Sequence, residues 1–143
     1  MTTLKFMTWN VRGVRNKIKR TAALAFLKAQ KANVIALTET HATGHLQSAL
    51  KRPWVGWAYH STHTNLSRGV SLLVTKSTPF ELISVKTDVV GRYVFALVKL
   101  GGSPMLLIVC YIPPHIAQRS SRRDWPIWHN IRRCRQCGWG IST

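Results

Sequence analysis

The chain has 143 residues and 45% apolar side chains, enough for one packed domain and too few for two ordinary ones. Twenty-one Lys and Arg stand against four acids, Glu39, Glu81, Asp88 and Asp124, and the formal charge of +17 selects a polyanion, nucleic acid first, as partner. These values argue against a wholly disordered polyelectrolyte and against a membrane partner, because the longest apolar run, Met105 to Ile112, is too short to span a bilayer.

Leu4 to Trp9 has the pattern of a strand, with no apolar stretch of a secretory signal before it, so an intracellular, reducing compartment is expected. Asn10-Val11-Arg12-Gly13 then breaks the strand with residue types that tolerate turn geometry. From Val14 to Ala32, Ile18, Ala22, Ala25, Phe26 and Ala29 recur at helical spacing and predict one amphipathic helix with these residues as its apolar face. Asn33 suits its end, and Val34-Ile35-Ala36-Leu37 is the continuous apolar run of a strand covered on both faces. A βαβ unit of this kind crosses over right-handed and brings both strand ends to one sheet edge, so Asn10 and Glu39 are expected to lie close together.

A short helix is predicted at Leu46 to Lys51. Strands follow at Trp57 to His60, Val70 to Thr75, Phe80 to Lys86, Tyr93 to Leu100 and Met105 to Ile112, read as an antiparallel meander. Gly101-Gly102-Ser103-Pro104 is a hairpin signal. At Pro113-Pro114 the composition changes. Residues 1–114 hold nine Lys, whereas His115 to Thr143 holds six Arg and three Trp with no Lys, Leu or Val. Residues 115–143 are therefore expected to be an unrelated basic, disordered tail, arising from a frameshift or an improper junction. Three cysteines form an odd set and no disulfide is expected; Cys134-Arg135-Gln136-Cys137, even with His129 or His115, lacks a second pair, and no zinc site is expected.

Phe6 to Gly13, with Trp9-Asn10 closing a strand before a Gly loop, resembles the first motif of the endonuclease/exonuclease/phosphatase family. Ile35 to His41 is similar to the family's second motif, a strand delivering one glutamate. Arg68 to Val74 resembles its Gly-Val strand, and Val109 to Pro114 the strand ending in Tyr-x-Pro-Pro. The Thr-Glu-Thr-His and Tyr-x-Pro-Pro wording is similar to the endonuclease domains of non-LTR retrotransposons, which nick chromosomal DNA to prime reverse transcription. The resemblance covers residues 4–114. It implies an α/β fold, the N-terminal half of a two-sheet α/β sandwich, incomplete here and corresponding to about one sheet and one helical layer. An apolar sheet face would then be left exposed, inviting oligomerisation or aggregation.

Phosphodiester hydrolysis needs an ion to offset charge on phosphoryl oxygens, and Mg²⁺ takes hard oxygen ligands, often one or two carboxylates with water. Glu39 is the candidate metal ligand for Mg²⁺, with Mn²⁺ as a substitute. Asn10 can ligate or hydrogen-bond through its amide oxygen. The Tyr111 phenol can donate to a phosphate oxygen and, as the resemblance implies, helps to stabilise the transition state. Arg12, Arg15 and Lys17 can contact a DNA backbone and His41 can reach a phosphate. Taken singly, Asn10 is a turn residue, Glu39 a solvated strand end and Tyr111 a half-buried core aromatic; it is their joint occurrence that points to a site. The family's later motifs, Asp-x-Asn, a second aspartate and a terminal Asp-His pair, do not occur, and Asp124 is not one of them. The expectation is thus a Mg²⁺-dependent DNA endonuclease domain of retrotransposon ancestry, nuclear where it functions and inactive as given. The alternatives are a non-catalytic basic nucleic-acid-binding remnant and an unstable translation product.

Overall fold

The computed structural model describes residues 3–64 and 66–113. The chain divides into two compact units after Tyr111, and the elements below belong to the first. Residues 115–143, with the expected disordered tail and the Cys134–Cys137 pair, lie outside the described residues.

In chain order the elements are β1 (Phe6–Asn10), α1 (Lys17–Ala29), β2 (Val34–Thr38), α2 (His45–Leu50), β3 (Val55–Ser61), β4 (Val70–Thr75), β5 (Phe80–Thr87), β6 (Tyr93–Leu100) and β7 (Ser103–Cys110). They form two sheets, one of order β1-β2-β4-β3 and one of order β5-β6-β7. β1 and β2 run parallel with Asn10 opposite Thr38, as a βαβ unit requires, and β4 pairs antiparallel with both β2 and β3.

β2 shows why a strand without alternation can still be specified. Ile35 and Leu37 point into a cluster with Leu24 and Leu27 of α1, while Val34 and Ala36 point into a second cluster with Val94, Ala96 and Val98 of β6. Both faces are covered, so both must be apolar. Burying each such Val, Leu or Ile contributes roughly 1.5–3 kcal/mol.

Three expectations are corrected. The meander does not stay in one sheet: after β4 the chain turns at Ser77-Thr78-Pro79, Thr78 is buried, and the Gly101 N–H donates to the Pro79 carbonyl at 2.9 Å. β5-β6-β7 thereby form their own sheet, whose apolar face closes over the first, so the single-sheet picture gives way to two packed sheets. The helix is shorter than 14–32, because the Asn16 side chain accepts from the Lys19 N–H at 3.0 Å and caps α1, and Lys31 at φ 52° ends it. Its buried face is Ala23, Leu24 and Leu27, not Ile18, Ala22, Ala25, Phe26 and Ala29; Ile18 is 81% exposed. Two leucines bury far more apolar area than three alanines, and that decides which face turns inward.

The sandwich is incomplete in a particular place. On β1, Phe6 shares the inter-sheet side with Val34, its register partner, yet Phe6 is 50% exposed and Val34 is 4% exposed. β7 pairs only with β6 among the described residues. Leu82, Ile83 and Val85 of the edge strand β5 are also exposed. Cys110 is a free, half-buried thiol whose pKa is pushed up by burial.

Candidate active site

The C-terminal ends of β1 and β2 are fastened to each other by the loops that leave them. Val11 donates to the Thr38 carbonyl at 3.0 Å, Gly13 to Glu39 at 2.6 Å and Val14 to Thr40 at 2.9 Å. The next layer comes from the segment before β4: Thr40 donates to the Gly69 carbonyl at 3.0 Å and His41 to Arg68 at 2.9 Å. The segment before β6 adds Gly91, whose carbonyl accepts from Gly69 at 3.1 Å. Tyr111, just past β7, is placed by its N–H donating to Arg92 at 2.7 Å.

This backbone is strained. Arg12, Glu39, His41 and Arg68 all have φ between 47° and 61°, a left-handed conformation that costs a non-glycine residue about 1 kcal/mol or more. Such residues cluster where surrounding hydrogen bonds over-determine the chain. Gly69 is required outright. At φ 96° a Cβ there would come within 2.5 Å of Thr40 Oγ1. The Thr40 hydroxyl is fully buried and has no hydrogen-bond partner among the described residues, and the same holds for Arg92 Nε.

Three of the expected site residues come to this edge. Glu39 is half-buried and exposed Asn10 sits at the neighbouring strand end. The Tyr111 phenol lies beside the Glu39 carboxylate. Burial first, then its interaction with Glu39, raises the Tyr111 pKa above its ordinary 10, against a lowering by the Arg68 guanidinium. Tyr111 therefore stays a neutral donor at physiological pH. The Asn10 amide oxygen accepts from the Arg12 N–H at 3.1 Å, which orients it and leaves its second lone pair.

Of the four expected phosphate contacts, His41 lies near Glu39 and Arg15 lies near His41. Burial lowers the His41 pKa below 6.5; Glu39 opposes this, and Lys19 and Arg15 reinforce it. His41 is thus neutral at pH 7. Arg12 is exposed in the β1–α1 loop, and its carbonyl accepts from Lys19 Nζ at 2.9 Å. Lys17 opens α1 and is exposed, with no contact to Glu39 or Tyr111. Two basic residues at this edge, Arg68 and Lys19, escaped the sequence reading. Arg68 precedes the Gly-Val strand and Lys19 looks like any helical lysine; only the pairing of distant segments brings Arg68 near Tyr111 and Lys19 near His41. Asp88, a third carboxylate of the described chain, is committed elsewhere. Its Oδ1 accepts from Ser61 Oγ and from the Arg92 and Tyr93 N–H groups at 2.9 and 3.2 Å, closing the β5–β6 turn.

Known proteins share this fold. The sequence pattern of the Endonuclease/Exonuclease/phosphatase family matches residues 7–139. The "Transposon TX1 uncharacterized 149 kDa protein" of Xenopus laevis is 30% identical over 110 residues, 77% of this chain and 8% of that protein. The AP endonuclease LMAP from Leishmania major has a similar fold, with a TM-score of 0.59 and 20% identity, over 77% of this chain and 40% of that one. The catalytic domain of Xenopus laevis APE2 gives a TM-score of 0.57 at 18% identity, over 82% of this chain and 48% of that one. The chain thus spans less than half the length of either solved protein. With two packed sheets, the strand-end convergence and a family match over most of its length, this chain belongs to the endonuclease/exonuclease/phosphatase family.

Proposed function

We propose that the chain is the first half of a Mg²⁺-dependent phosphodiesterase domain, a DNA endonuclease of retrotransposon type, and that these 143 residues alone do not cleave. The observation that carries this reading is that Asn10, Glu39 and Tyr111 come to one sheet edge, with the Tyr111 phenol beside Glu39. The similarity to a transposon protein and to an AP endonuclease supports nucleic acid as substrate, as does the +17 charge.

The donor set suits Mg²⁺ or Mn²⁺ in kind, since Glu39 and the Asn10 amide offer hard oxygens on adjacent strand ends. It is short in number: among the described residues no group of three or more His, Cys, Asp and Glu comes together. A divalent cation held there supplies charge that offsets a phosphoryl oxygen. Glu39 and Asn10 are the residues that would hold it. Tyr111 holds its proton and donates a hydrogen bond at that edge. Neutral His41 and the cations Arg12, Arg15 and Lys17 hold backbone phosphates without entering the chemistry. No Asp-x-Asn or Asp-His follows Pro114 in the sequence, so no residue is supplied to take the proton from an attacking water.

The partner is DNA and the working place is the nucleus. No helix among the described residues is long and apolar enough to cross a membrane. Phe6 and the exposed apolar side chains of β5 are where self-association would start. The boundary at 114 rests on composition, while the family match continues to residue 139. Independent gene copies that share residues 115–143 would place that segment inside the domain.

The test is nicked-circle formation from supercoiled plasmid, with Mg²⁺ or EDTA. We expect no nicking by the chain itself and Mg²⁺-dependent nicking when a family C-terminal half replaces residues 115–143. In that chimera Glu39→Gln lowers the rate on the order of a hundredfold or more. Nicking by the unaltered chain refutes the inactivity, equal nicking by the Glu39→Gln chimera refutes the ligand assignment, and salt-sensitive DNA binding by a chimera that folds without nicking favours a non-catalytic binding remnant.

A further inference from the structure

The opposite end of the first sheet carries a feature that phosphodiester chemistry does not use. Where α1 ends, β2 begins and β4 turns into β5, a cleft of about 400 Å³ opens, lined by Lys28, Lys31, Lys76, Trp54, Thr75 and Ser77. No carboxylate lines it, and none of the three ammonium groups has an ion-pair partner among the described residues. Trp54 is half-buried: part of its indole packs against the Leu24–Leu27 cluster and part lines the cleft.

Helix electrostatics account for only some of this. Lys28 lies in the last turn of α1, and Lys31 follows it, where a cation is favoured by the helix dipole. Yet Lys5 Nζ already donates to the Gln30 carbonyl at 2.7 Å. Lys76 is on no helix; it is in the β4–β5 turn, fixed by its N–H donating to the Trp54 carbonyl at 3.1 Å. Three lysines from two separate segments line one cleft that is largely apolar, and their charges, carried on flexible stems around it, raise the local potential and favour a polyanion. An indole beside them gives the face on which an unpaired base stacks. A duplex would keep its bases from that face, so the pairing of Lys with Trp selects a single strand.

We propose that this cleft binds a single-stranded nucleic-acid segment, with one base on Trp54 and the flanking phosphates on Lys28, Lys31 and Lys76. It lies at the far end of β2 from Glu39, roughly 15–20 Å away at about 3.3 Å per strand residue. The domain thereby holds one nucleic-acid segment at the Glu39 edge and a separate single strand at the other. The inference does not depend on the nuclease reading, and failure to nick leaves it untouched.

The test is fluorescence anisotropy of a labelled oligothymidylate titrated with the full chain at several salt concentrations. Lys28→Gln/Lys31→Gln/Lys76→Gln should lose about tenfold in affinity at low salt and flatten the log K against log salt slope by about 2, at roughly 0.7 per phosphate contact. Lys51→Gln/Lys86→Gln/Lys99→Gln removes the same net charge from residues that do not line the cleft and should lose far less. Trp54→Leu keeps an apolar group against the core but removes the stacking face; it should cost on the order of tenfold with the salt slope unchanged. Equal losses in the two lysine triples overturn the proposal, as does unaltered binding by Trp54→Leu. Should that variant not fold, the surface lysine triples, which leave the core alone, decide the matter.

Discussion

The two ends of the four-stranded sheet are built differently. At the Glu39 end, four non-glycine residues sit at positive φ and the buried Thr40 hydroxyl lacks a partner among the described residues. At the other end a single non-glycine residue among those described, Lys31, has positive φ, and Asn33 links the segments around it. Its Oδ1 accepts from the Lys5 N–H at 2.8 Å, its Nδ2 donates to Thr78 Oγ1 at 3.2 Å, and its carbonyl accepts from the Thr75 N–H at 3.0 Å. One end spends stability on placing side chains and the other supplies it, a division that recurs where strain is stored at a working site.

The comparison breaks if the strained end proves tolerant. Gly69→Ala meets both a forbidden φ and a Cβ overlapping Thr40, so urea denaturation should show a loss of roughly 3 kcal/mol. Gly101→Asn is the control. Gly101 has φ 58° with nothing near its Cβ position, Asn accepts that conformation, and the loss should stay under about 1 kcal/mol. Equal losses at the two glycines would show that close packing at the Glu39 edge is not the constraint.

Between the ends, His60 on β3 tests how dry the sheet is. Its Nδ1 is 2.8 Å from Ser71 Oγ, and burial lowers its pKa to about 4. The unfolded chain takes a proton near 6.5 and the folded chain only near 4. Stability from this group is therefore complete above pH 6.5 and falls as the pH drops towards 4, by about 3 kcal/mol. Melts recorded across that window should be steeper in pH for the native chain than for His60→Gln; coincident pH profiles would mean that His60 titrates as it does in water. At the far end, Asn33→Ala strands the Lys5 N–H and a Thr78 hydroxyl bond. It should lower stability by roughly 2 kcal/mol without moving the Glu39 edge, and hydrogen exchange confined to residues near Lys5 and Thr78 would report it.

How much of this was legible follows the range of the interactions. The β1-α1-β2 opening was readable because its periods are local and a parallel pair can cross over in only one practical way. For the same reason Asn10 and Glu39 could be brought together from spacing alone. The inward face of α1 was misread, since Ala at helical spacing marks a stripe as well as Leu does while burying far less. That β4 inserts between β2 and β3, and that β5 leaves for a second sheet, depends on which strand accepts which edge, and no single run of residues records this. Arg68 and Lys19 were missed for that reason, their nearness to Tyr111 and His41 being a product of pairing between segments far apart in sequence. The strain at Arg12, Glu39, His41 and Arg68 was also invisible, because none is a residue type that announces a left-handed backbone.

The smallest effect is the most diagnostic of the contrast between the two ends. Arg12 has φ 47°, its side chain is exposed, and its recorded contacts are made by backbone: the N–H to the Asn10 amide oxygen and the carbonyl from Lys19 Nζ. Arg12→Gly keeps both contacts and removes the left-handed penalty of about 1 kcal/mol, offset in part by the greater freedom of glycine in the unfolded chain. It also removes one cation from a chain of net charge +17, which eases self-repulsion. The net expectation is a gain of roughly 0.5 kcal/mol in stability, read as a small rise in the denaturation midpoint at unchanged slope. If Arg12 sits there to meet a DNA backbone, the same variant weakens duplex binding and lowers the salt slope by about 1. A variant that is more stable and binds duplex DNA less well assigns the strain to function. One that is less stable shows that the arginine side chain supports the loop, and the contrast between the two ends then loses its clearest member.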